Sequence, residues 1–142
     1  MITVKFSVFV FSCNNRNDIC SAIDSALGQT FSDIEVICVD DCSDDGSVEL
    51  ILERYQNDPR FRLICSEKNE SVHMSRLKAV REGKGKYGIF LDGDDKLMPD
   101  CCAVLSKAFS ESGCDIIGFN AKLNLLGNED YKWVLSFRDF IK

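Results

Sequence analysis

The sequence predicts a single α/β domain in which helices cover both faces of a mainly parallel sheet. Short apolar runs rich in β-branched and aromatic residues alternate along the chain with longer stretches of helical periodicity. Strand–helix alternation of this kind is typical of parallel sheets that are covered on both faces. The chain has 142 residues, enough for one compact domain with a sizeable core, and it contains no internal repeat.

Five apolar runs are predicted strands. The first, residues 6–11 (FSVFVF), is continuous and rich in valine and phenylalanine, as expected of a buried strand. The fourth, residues 87–91, runs directly into an acidic cluster. The remaining strands are predicted at residues 34–39, 61–65 and 114–120.

Five stretches with apolar residues at helical spacing alternate with these strands. Gly28 is placed to end the first helix, Pro59 follows the second, and Pro99 opens the fourth. The predicted helices are residues 17–27, 47–55, 72–81, 100–112 and 131–141. Because the pattern weakens towards the end of the sequence, we expect a core at residues 1–121 and a C-terminal extension at residues 122–142.

The composition excludes several classes of protein. With 17 basic and 23 acidic residues the net charge is −6, which disfavours broad attraction to nucleic acid. No run approaches the roughly 18 apolar residues that a membrane span needs. The apolar N-terminus is interrupted by Lys5 and Ser7 and lacks a small-residue cleavage site, so we interpret it as a strand and not as a signal peptide.

The eight cysteines are expected to be reduced and mostly buried, which indicates a cytoplasmic location. Cys38 and Cys65 lie in apolar runs, where a free thiol behaves as a small hydrophobic group. No C-x-x-C pair occurs and His73 is the only histidine, so the pattern does not favour a zinc site.

The loops after the first four strands are the expected ligand site, because ligands bind beyond the carboxyl ends of parallel strands. The sharpest of them is Asp92-Gly93-Asp94-Asp95. Its three carboxylates repel one another and favour a bound cation, and Gly93 would let the backbone turn tightly. Oxygen ligands of this kind suit Mg²⁺ or Mn²⁺. The alternative is a solvated acidic turn that caps the next helix, and the position at the end of a buried strand favours the metal site.

Asp40 and Asp41 also end a buried strand. A carboxylate there could accept hydrogen bonds from a base or a ribose. The alternative is a turn and helix N-cap, since the residues from Asp40 to Gly46 are turn-forming. The pattern alone does not decide between these roles, and the two carboxylates could divide them.

Arg76 and Lys78 are among the cations nearest to the acidic loops. An arginine could neutralise a metal-bound diphosphate, although a solvated basic helix face is the alternative. His73 has no partner in the sequence and is interpreted as a surface residue. The Lys84-Gly85-Lys86 turn does not match a phosphate-binding loop of the Walker type. No G-x-G-x-x-G sequence follows the first strand, which disfavours a nicotinamide or flavin dinucleotide, and no nucleophile elbow is present.

Taken together and in this order, these segments resemble glycosyltransferase family 2, whose nucleotide-binding part adopts the Rossmann-like GT-A fold. The matching segments are residues 6–14 (FSVFVFSCN), 22–31 (AIDSALGQTF), 34–47 (IEVICVDDCSDDGS) and 85–99 (GKYGIFLDGDDKLMP). The resemblance covers residues 4 to about 120.

The resemblance implies a nucleotide-sugar site. In it Asp41 contacts the base, Asp40 supports the same loop, and Arg76 lies near the diphosphate. Asp94 holds the metal, while Asp92 faces the ribose or donor sugar and is the second expected metal ligand. The implied donor-binding residues are Phe11, Cys13, Asn14, Asp40, Asp41, Arg76, Asp92 and Gly93.

Two segments depart from the family pattern. A Pro-x-Tyr-Asn turn usually follows the first strand, whereas residues 11–14 here read Phe-Ser-Cys-Asn, without an aromatic platform worth on the order of 1 kcal/mol. The usual Gly-Val-Ser-x-x-Arg-Asn segment reads Ser-Val-His-Met-Ser-Arg-Leu at residues 71–77. The family's catalytic base lies farther along, in an acceptor-binding part. Glu129 and Asp130 are too close in sequence to Asp94 to supply it, so we expect the base outside this chain and the C-terminal extension to begin that part.

The implied reaction transfers a sugar from a nucleotide diphosphate donor, with a UDP-sugar favoured, to an acceptor hydroxyl on a glycan or a lipid-linked carrier. This places the protein in polysaccharide biosynthesis, with a divalent cation as cofactor. The full-length protein would lie in the cytoplasm, in peripheral contact with the inner face of the membrane. The main alternative is a catalytically incomplete GT-A module that binds a nucleotide or a partner. A nucleotidyltransferase would share the metal chemistry, but its glycine-rich basic N-terminal loop is missing here.

Overall fold

The computed structural model describes residues 4–118 of the chain, as an alternating series of strands and helices. The elements are β1 (Phe6–Ser12), α1 (Ile19–Leu27), β2 (Ile34–Asp40), α2 (Ser47–Tyr55), β3 (Phe61–Cys65), α3 (Val72–Glu82), β4 (Tyr87–Asp92) and α4 (Cys101–Ser112). By compactness the chain divides into two units, one ending at Ala103 and the other beginning at Val104. All four strands belong to the first unit, and the expected α/β class is confirmed.

The four strands form one parallel sheet in the order β3-β2-β1-β4. The chain moves outwards from β1 through β2 to β3 and then returns to place β4 on the other side of β1. The strand order therefore reverses between β1 and β4. In open α/β sheets, ligands bind in the crevice beyond the carboxyl ends of the strands at such a reversal. The loops after Ser12 and Asp92 lie at this position.

Helices cover both faces of the sheet. On one face, Phe9, Ile37 and Val39 pack against Ala79 of α3. Successive side chains of a strand point to opposite faces, so the fully buried Val8 belongs to the other face, where α1 and α2 lie. These two helices are joined by the Tyr55 hydroxyl of α2, which donates a 3.0 Å hydrogen bond to the Cys20 carbonyl of α1.

Glu35 fixes the turn between α3 and β4 to the sheet. Its carboxylate accepts hydrogen bonds from the Ser7 hydroxyl at 2.6 Å and from the backbone N–H of Lys84 at 2.5 Å, and Arg62 lies 3.2 Å away. Burial of the carboxyl raises its pKa, but these hydrogen bonds and the arginine outweigh burial, so the pKa of Glu35 is lowered overall. Gly85 donates its N–H to the Ser7 hydroxyl. The glycine-lysine turn thus has a structural role beyond ending a helix.

Some predicted boundaries differ from the structure. The first helix begins at Ile19 instead of residue 17, because the Asn15 carbonyl accepts N–H groups of Asp18 and Ile19 in a preceding turn. The prediction of a fifth strand at residues 114–120 is wrong for residues 114–118, which form no strand, and its last two residues lie outside the described part of the chain. The final helix at residues 131–141 and the expected domain boundary at residue 121 lie outside the described residues.

All eight cysteines are free, but the expectation that most are buried is wrong. Three are buried (Cys20, Cys38, Cys102), three are exposed (Cys13, Cys42, Cys65), and Cys101 and Cys114 are intermediate. Cys65 ends β3, which pairs with a neighbour on one side only, and this explains why its apolar sequence context does not bury it. Among residues 4–118, no helix is both long enough and apolar enough to cross a bilayer.

Candidate functional site

A cleft of about 680 Å³ opens at the carboxyl ends of β1, β2 and β4. This volume lies within the range of small-molecule sites in proteins. Its walls come from the loops that follow these strands and from the start of α3. The lining residues are Phe11, Ser12, Cys13, Asn14, Asn15, Arg16, Asn17, Asp18, Asp41, Asp45, Asn69, Ser71, Val72, Ser75, Asp92, Gly93 and Asp94.

Asn14 joins the loop after β1 to the loop after β2. It adopts φ 51°, a left-handed conformation that asparagine tolerates better than most residues. Its N–H donates to the Ser43 hydroxyl at 2.8 Å, and its side-chain oxygen accepts the N–H of Asp44 at 2.9 Å. The backbone N–H of Arg16 also donates to Asp45, at 2.9 Å. These contacts fix two walls of the cleft relative to each other.

Asp40 and Asp41 have different local roles. Asp40 is buried and accepts hydrogen bonds from the N–H and the hydroxyl of Ser43, so it shapes the turn after β2. Asp41 lines the cleft and accepts the backbone N–H groups of Glu70 at 2.8 Å and Ser71 at 3.2 Å. Asp41 therefore positions the start of α3 while its carboxylate stays at the cleft wall. The turn role that the sequence left open is thus filled by Asp40, and a ligand-binding role for Asp41 stays a prediction.

The acidic loop leaves β4 at Asp92, and the N–H of Asp95 donates back to the Asp92 carbonyl at 3.0 Å. Asp92 and Asp94 are exposed and line the cleft, whereas Asp95 does not line it. A Cβ built on Gly93 would lie 2.1 Å from Asn15 Nδ2 and 2.4 Å from the Phe11 carbonyl oxygen. Its φ is not in the left-handed region. The chain does turn tightly at Gly93, as expected, but the turn does not use a left-handed glycine; the close packing against the β1 loop is what excludes a side chain here.

The segment that follows the acidic loop is held by residues of the QTF sequence and the helix before it. Gln29 donates its amide to the Met98 carbonyl at 2.8 Å and accepts the N–H of Cys102 at 2.9 Å. The Ser25 hydroxyl accepts the N–H of Leu97 at 3.0 Å. In the sequence, these residues only carry the family resemblance. Their structural role cannot be read there because it depends on contacts across about 70 residues.

Arg76 reaches the acidic loop from α3. Its guanidinium lies 3.7 Å from the Asp92 carboxylate and 5.8 to 5.9 Å from the ring centres of Phe11 and Phe90. Lys78, the other predicted cation, instead pairs with Glu70 and donates to Ser66. Only Arg76 of these two is therefore placed to meet a ligand near Asp92.

His73 is exposed on α3 and does not line the cleft. The interpretation of His73 as a surface residue therefore agrees with the structure.

Cys13 lines the cleft at the position where the family pattern has a tyrosine. Its sulfur lies 3.7 Å from the Asp41 carbonyl oxygen, and the Asn69 amide approaches it at 3.8 Å. Partial burial, together with the negative charges of Asp41 and Asp40, raises the pKa of the Cys13 thiol. The thiol thus remains protonated near neutral pH and offers the cleft a small, uncharged surface.

Among residues 4–118, no three His, Cys, Asp or Glu side chains converge as a metal-binding group. Two carboxylates, Asp92 and Asp94, do line the same cleft. Magnesium sites at substrate phosphates commonly use only one or two protein carboxylates. The donor set therefore fits a cation that is completed by a phosphate ligand; without that ligand, the two carboxylates would hold a cation only weakly.

Comparisons with known proteins agree on one family. The model described as "Glycosyl transferase family 2" matches residues 7–141. Cholesterol galactosyltransferase of Borreliella burgdorferi is 37% identical over 118 residues, covering 82% of this chain and 33% of its own length. Chondroitin synthase of Escherichia coli is 33% identical over 138 residues, covering 94% of this chain and 20% of its own. The chain thus spans a third or less of these two relatives.

Solved structures extend the similarity to the fold. S. aureus TarS 1–349 superposes with a TM-score of 0.78 at 27% identity, covering 89% of this chain and 38% of that one. The same protein in complex with UDP-GlcNAc gives a TM-score of 0.78 at 26% identity, covering 90% of this chain and 37% of that one. It has also been solved with UDP. These neighbours have the GT-A fold.

Proposed function

The chain belongs to glycosyltransferase family 2, and from that membership we propose that it forms the donor-binding part of an enzyme that transfers a sugar from a nucleotide diphosphate sugar to an acceptor hydroxyl. The observation that carries this proposal is the cleft that Asp41, Asp92 and Asp94 line at the reversal of strand order, with Arg76 3.7 Å from the Asp92 carboxylate. Carboxylates that line a cleft of this size, with an arginine beside them, suit a ligand with a polar base, a diphosphate and a divalent cation.

Asp41 is assigned to the base of the donor. Its two carboxylate oxygens already accept one backbone N–H each, and an ionised carboxylate has about four acceptor positions. An imide or amine N–H of a base could therefore be accepted without breaking the contacts that hold α3. Phe11, Cys13 and Asn14 would complete the nucleoside wall. UDP is the favoured nucleotide, since the similar TarS protein has been solved with UDP and with UDP-GlcNAc.

Asp94 and Asp92 are assigned to Mg²⁺ or Mn²⁺. When bound, the cation would supply Lewis-acid stabilisation of the negative charge that develops on the departing diphosphate. Arg76, 3.7 Å from Asp92, would neutralise part of the remaining phosphate charge. Gly93 sets the position of both carboxylates through its close packing against the β1 loop.

The catalytic base and the acceptor are assigned by the family resemblance alone, and the cellular location by that resemblance together with the expectation of reduced cysteines. We assign the base to a part of the protein outside residues 4–118. The acceptor would be a hydroxyl of a glycan or a lipid-linked carrier. The protein would act in the cytoplasm, at the inner face of the membrane.

Isothermal titration of the 142-residue chain with UDP, in the presence and absence of Mn²⁺, tests the donor site. We expect binding that depends on the cation and that falls at least tenfold in Asp94→Asn. Glu53→Gln is the matched control, because it removes one negative charge from an exposed position on α2, away from the cleft. If the unaltered chain bound no UDP with Mn²⁺ or Mg²⁺ present, the proposed function would be wrong.

A catalytically incomplete module would bind UDP equally well, so binding does not separate it from an enzyme. An assay of UDP-GlcNAc transfer or hydrolysis separates the two, with the released UDP measured by mass spectrometry. Cation-dependent release that is lost in Asp94→Asn would support an enzyme. Tight UDP binding without any release would favour the incomplete module for this chain.

A further inference from the structure

Ser75 carries a buried hydroxyl that has no hydrogen-bond partner within residues 4–118. The residue is 3% exposed and lines the cleft. Serine inside a helix commonly donates its hydroxyl to the carbonyl four residues earlier. Here that carbonyl, on Ser71, accepts the backbone N–H of Ser75 at 3.1 Å, and the hydroxyl stays unpaired. Buried polar groups without a partner are rare and cost free energy, so this one needs an explanation.

The backbone just before Ser75 is held by hydrogen bonds, and one of its residues has an unfavourable conformation. Asp41 binds the N–H groups of Glu70 and Ser71 at the start of α3. Ser71 adopts φ 90° and ψ 154°, a region that residues other than glycine rarely occupy. The turn that leads to Ser75 is therefore fixed, and the freedom that remains is rotation of the Ser75 side chain between its staggered positions. Such a rotation moves the hydroxyl without moving the helix.

We propose that the Ser75 hydroxyl is a positioning group that forms a hydrogen bond with the nucleoside part of the donor. This inference rests on the proposed function. Asp92 and Asp94 line the proposed diphosphate end of the cleft, and Arg76 lies beside Asp92. Ser75 instead follows Ser71 by one helical turn on the wall that Asp41 holds. Because a hydroxyl both donates and accepts, Ser75 can pair with a base carbonyl or with a ribose hydroxyl. The ligand would thus satisfy a hydroxyl for which residues 4–118 supply no hydrogen-bond partner.

Titration of Ser75→Ala with UDP and Mn²⁺, and separately with inorganic pyrophosphate and Mn²⁺, tests the inference. We expect Ser75→Ala to bind UDP about three- to tenfold more weakly than the unaltered chain does, because this is the affinity that one neutral hydrogen bond contributes. Pyrophosphate should bind as it does to the unaltered chain. The midpoint of thermal unfolding without ligand should stay the same or rise, because the variant buries no unpaired hydroxyl. The titrations are then repeated with 2′-deoxy-UDP. If the unaltered chain and Ser75→Ala now bind with equal affinity, the ribose 2′-hydroxyl is the partner of Ser75. If their affinities still differ, the partner is another nucleoside group, and both results uphold the proposal.

Ser110→Ala is the matched control, since it deletes an exposed serine hydroxyl within α4. Unchanged UDP affinity in Ser75→Ala would overturn this inference alone. Equal losses for UDP and pyrophosphate, or a clear fall in thermal stability with UDP affinity intact, would likewise assign the hydroxyl elsewhere. An unaltered chain that bound no UDP would instead overturn the proposed function, and this inference with it.

Discussion

Gly93 lies so close to Asn15 that a Cβ built on it would be 2.1 Å from the Asn15 side-chain nitrogen. The contact joins the acidic loop after β4 to the loop after β1, which are neighbours in the sheet but almost 80 residues apart in the chain. We therefore regard the placement of Asp92 and Asp94 as a property of two loops, not of the acidic sequence alone.

Gly93→Ala should weaken binding of UDP with Mn²⁺ and destabilise the fold by about 1–3 kcal/mol, because a new methyl group would overpack this contact. Titration calorimetry and urea unfolding measure the two effects. Gly113→Ala is the contrasting control: its Cβ meets nothing within 4 Å, but its φ of +61° is left-handed. That variant should lose about 1 kcal/mol of stability and keep its affinity. Unchanged binding in Gly93→Ala would contradict the role we give to this contact.

Gln29→Ala should destabilise the protein by about 2 kcal/mol or more, since it removes the partners of the Met98 carbonyl and the Cys102 N–H. Urea unfolding followed by circular dichroism measures the loss. Gln56→Ala, at an exposed position just after α2, should change stability by no more than about 0.5 kcal/mol. Equal effects of the two variants would show that the anchoring of this segment is unimportant.

Arg76→Gln should weaken binding of UDP with Mn²⁺ by about tenfold. This is the lower end of the affinity loss expected when a hydrogen bond to a charged group is removed. Binding of Mn²⁺ alone should strengthen slightly, because a positive charge 3.7 Å from Asp92 is removed. Both affinities come from calorimetry at one ionic strength. Arg81→Gln removes the same charge from an exposed position on the same helix and should leave both unchanged. Changes of the same sign for UDP and for Mn²⁺ would count against a diphosphate contact.

Glu35→Gln should lower stability at neutral pH, and the difference from the unaltered protein should shrink on acidification. The folded-state pKa of Glu35 is lowered by its hydrogen bonds and Arg62. Its stabilising contribution is therefore complete above the pKa of an unfolded glutamate, about 4.3, and is lost as pH falls through the lower folded-state value. Urea unfolding between neutral pH and about pH 3 measures this. Glu53→Gln, at an exposed position, should show no such trend, and a constant Glu35→Gln difference over the range would refute the mechanism.

The sequence predicted the order of strands and helices because that order depends on local patterns. The buried runs of β1 and β2 and the spacing of apolar residues in α1 and α2 are readable within each segment. The carboxyl-end rule then indicated loops that line a cleft in the structure, and Asp41, Asp92 and Asp94 share it. Their binding roles stay predictions.

Features that depend on distant partners were not predictable. Gln29 looked like part of a family signature, and its partners at Met98 and Cys102 become visible only when α1 and the segment before α4 are folded together. Cys65 has an apolar context but ends an edge strand, so its exposure follows from the sheet order. No sequence pattern marks Ser75. What singles it out is a buried hydroxyl that has no hydrogen-bond partner within residues 4–118, and this is visible only in the structure.

The register of β1 against its neighbours pairs Phe11 with Asp92 on one side and Ser12 with Asp40 on the other. Side chains alternate between faces, so a slip of one residue between β1 and β4 would put Leu91 where Asp92 now stands beside Phe11 and Arg76. A slip of this size would therefore disrupt the proposed donor site even if the strands still formed. If the proposed site is correct, binding of the donor would also report whether the sheet has paired in register.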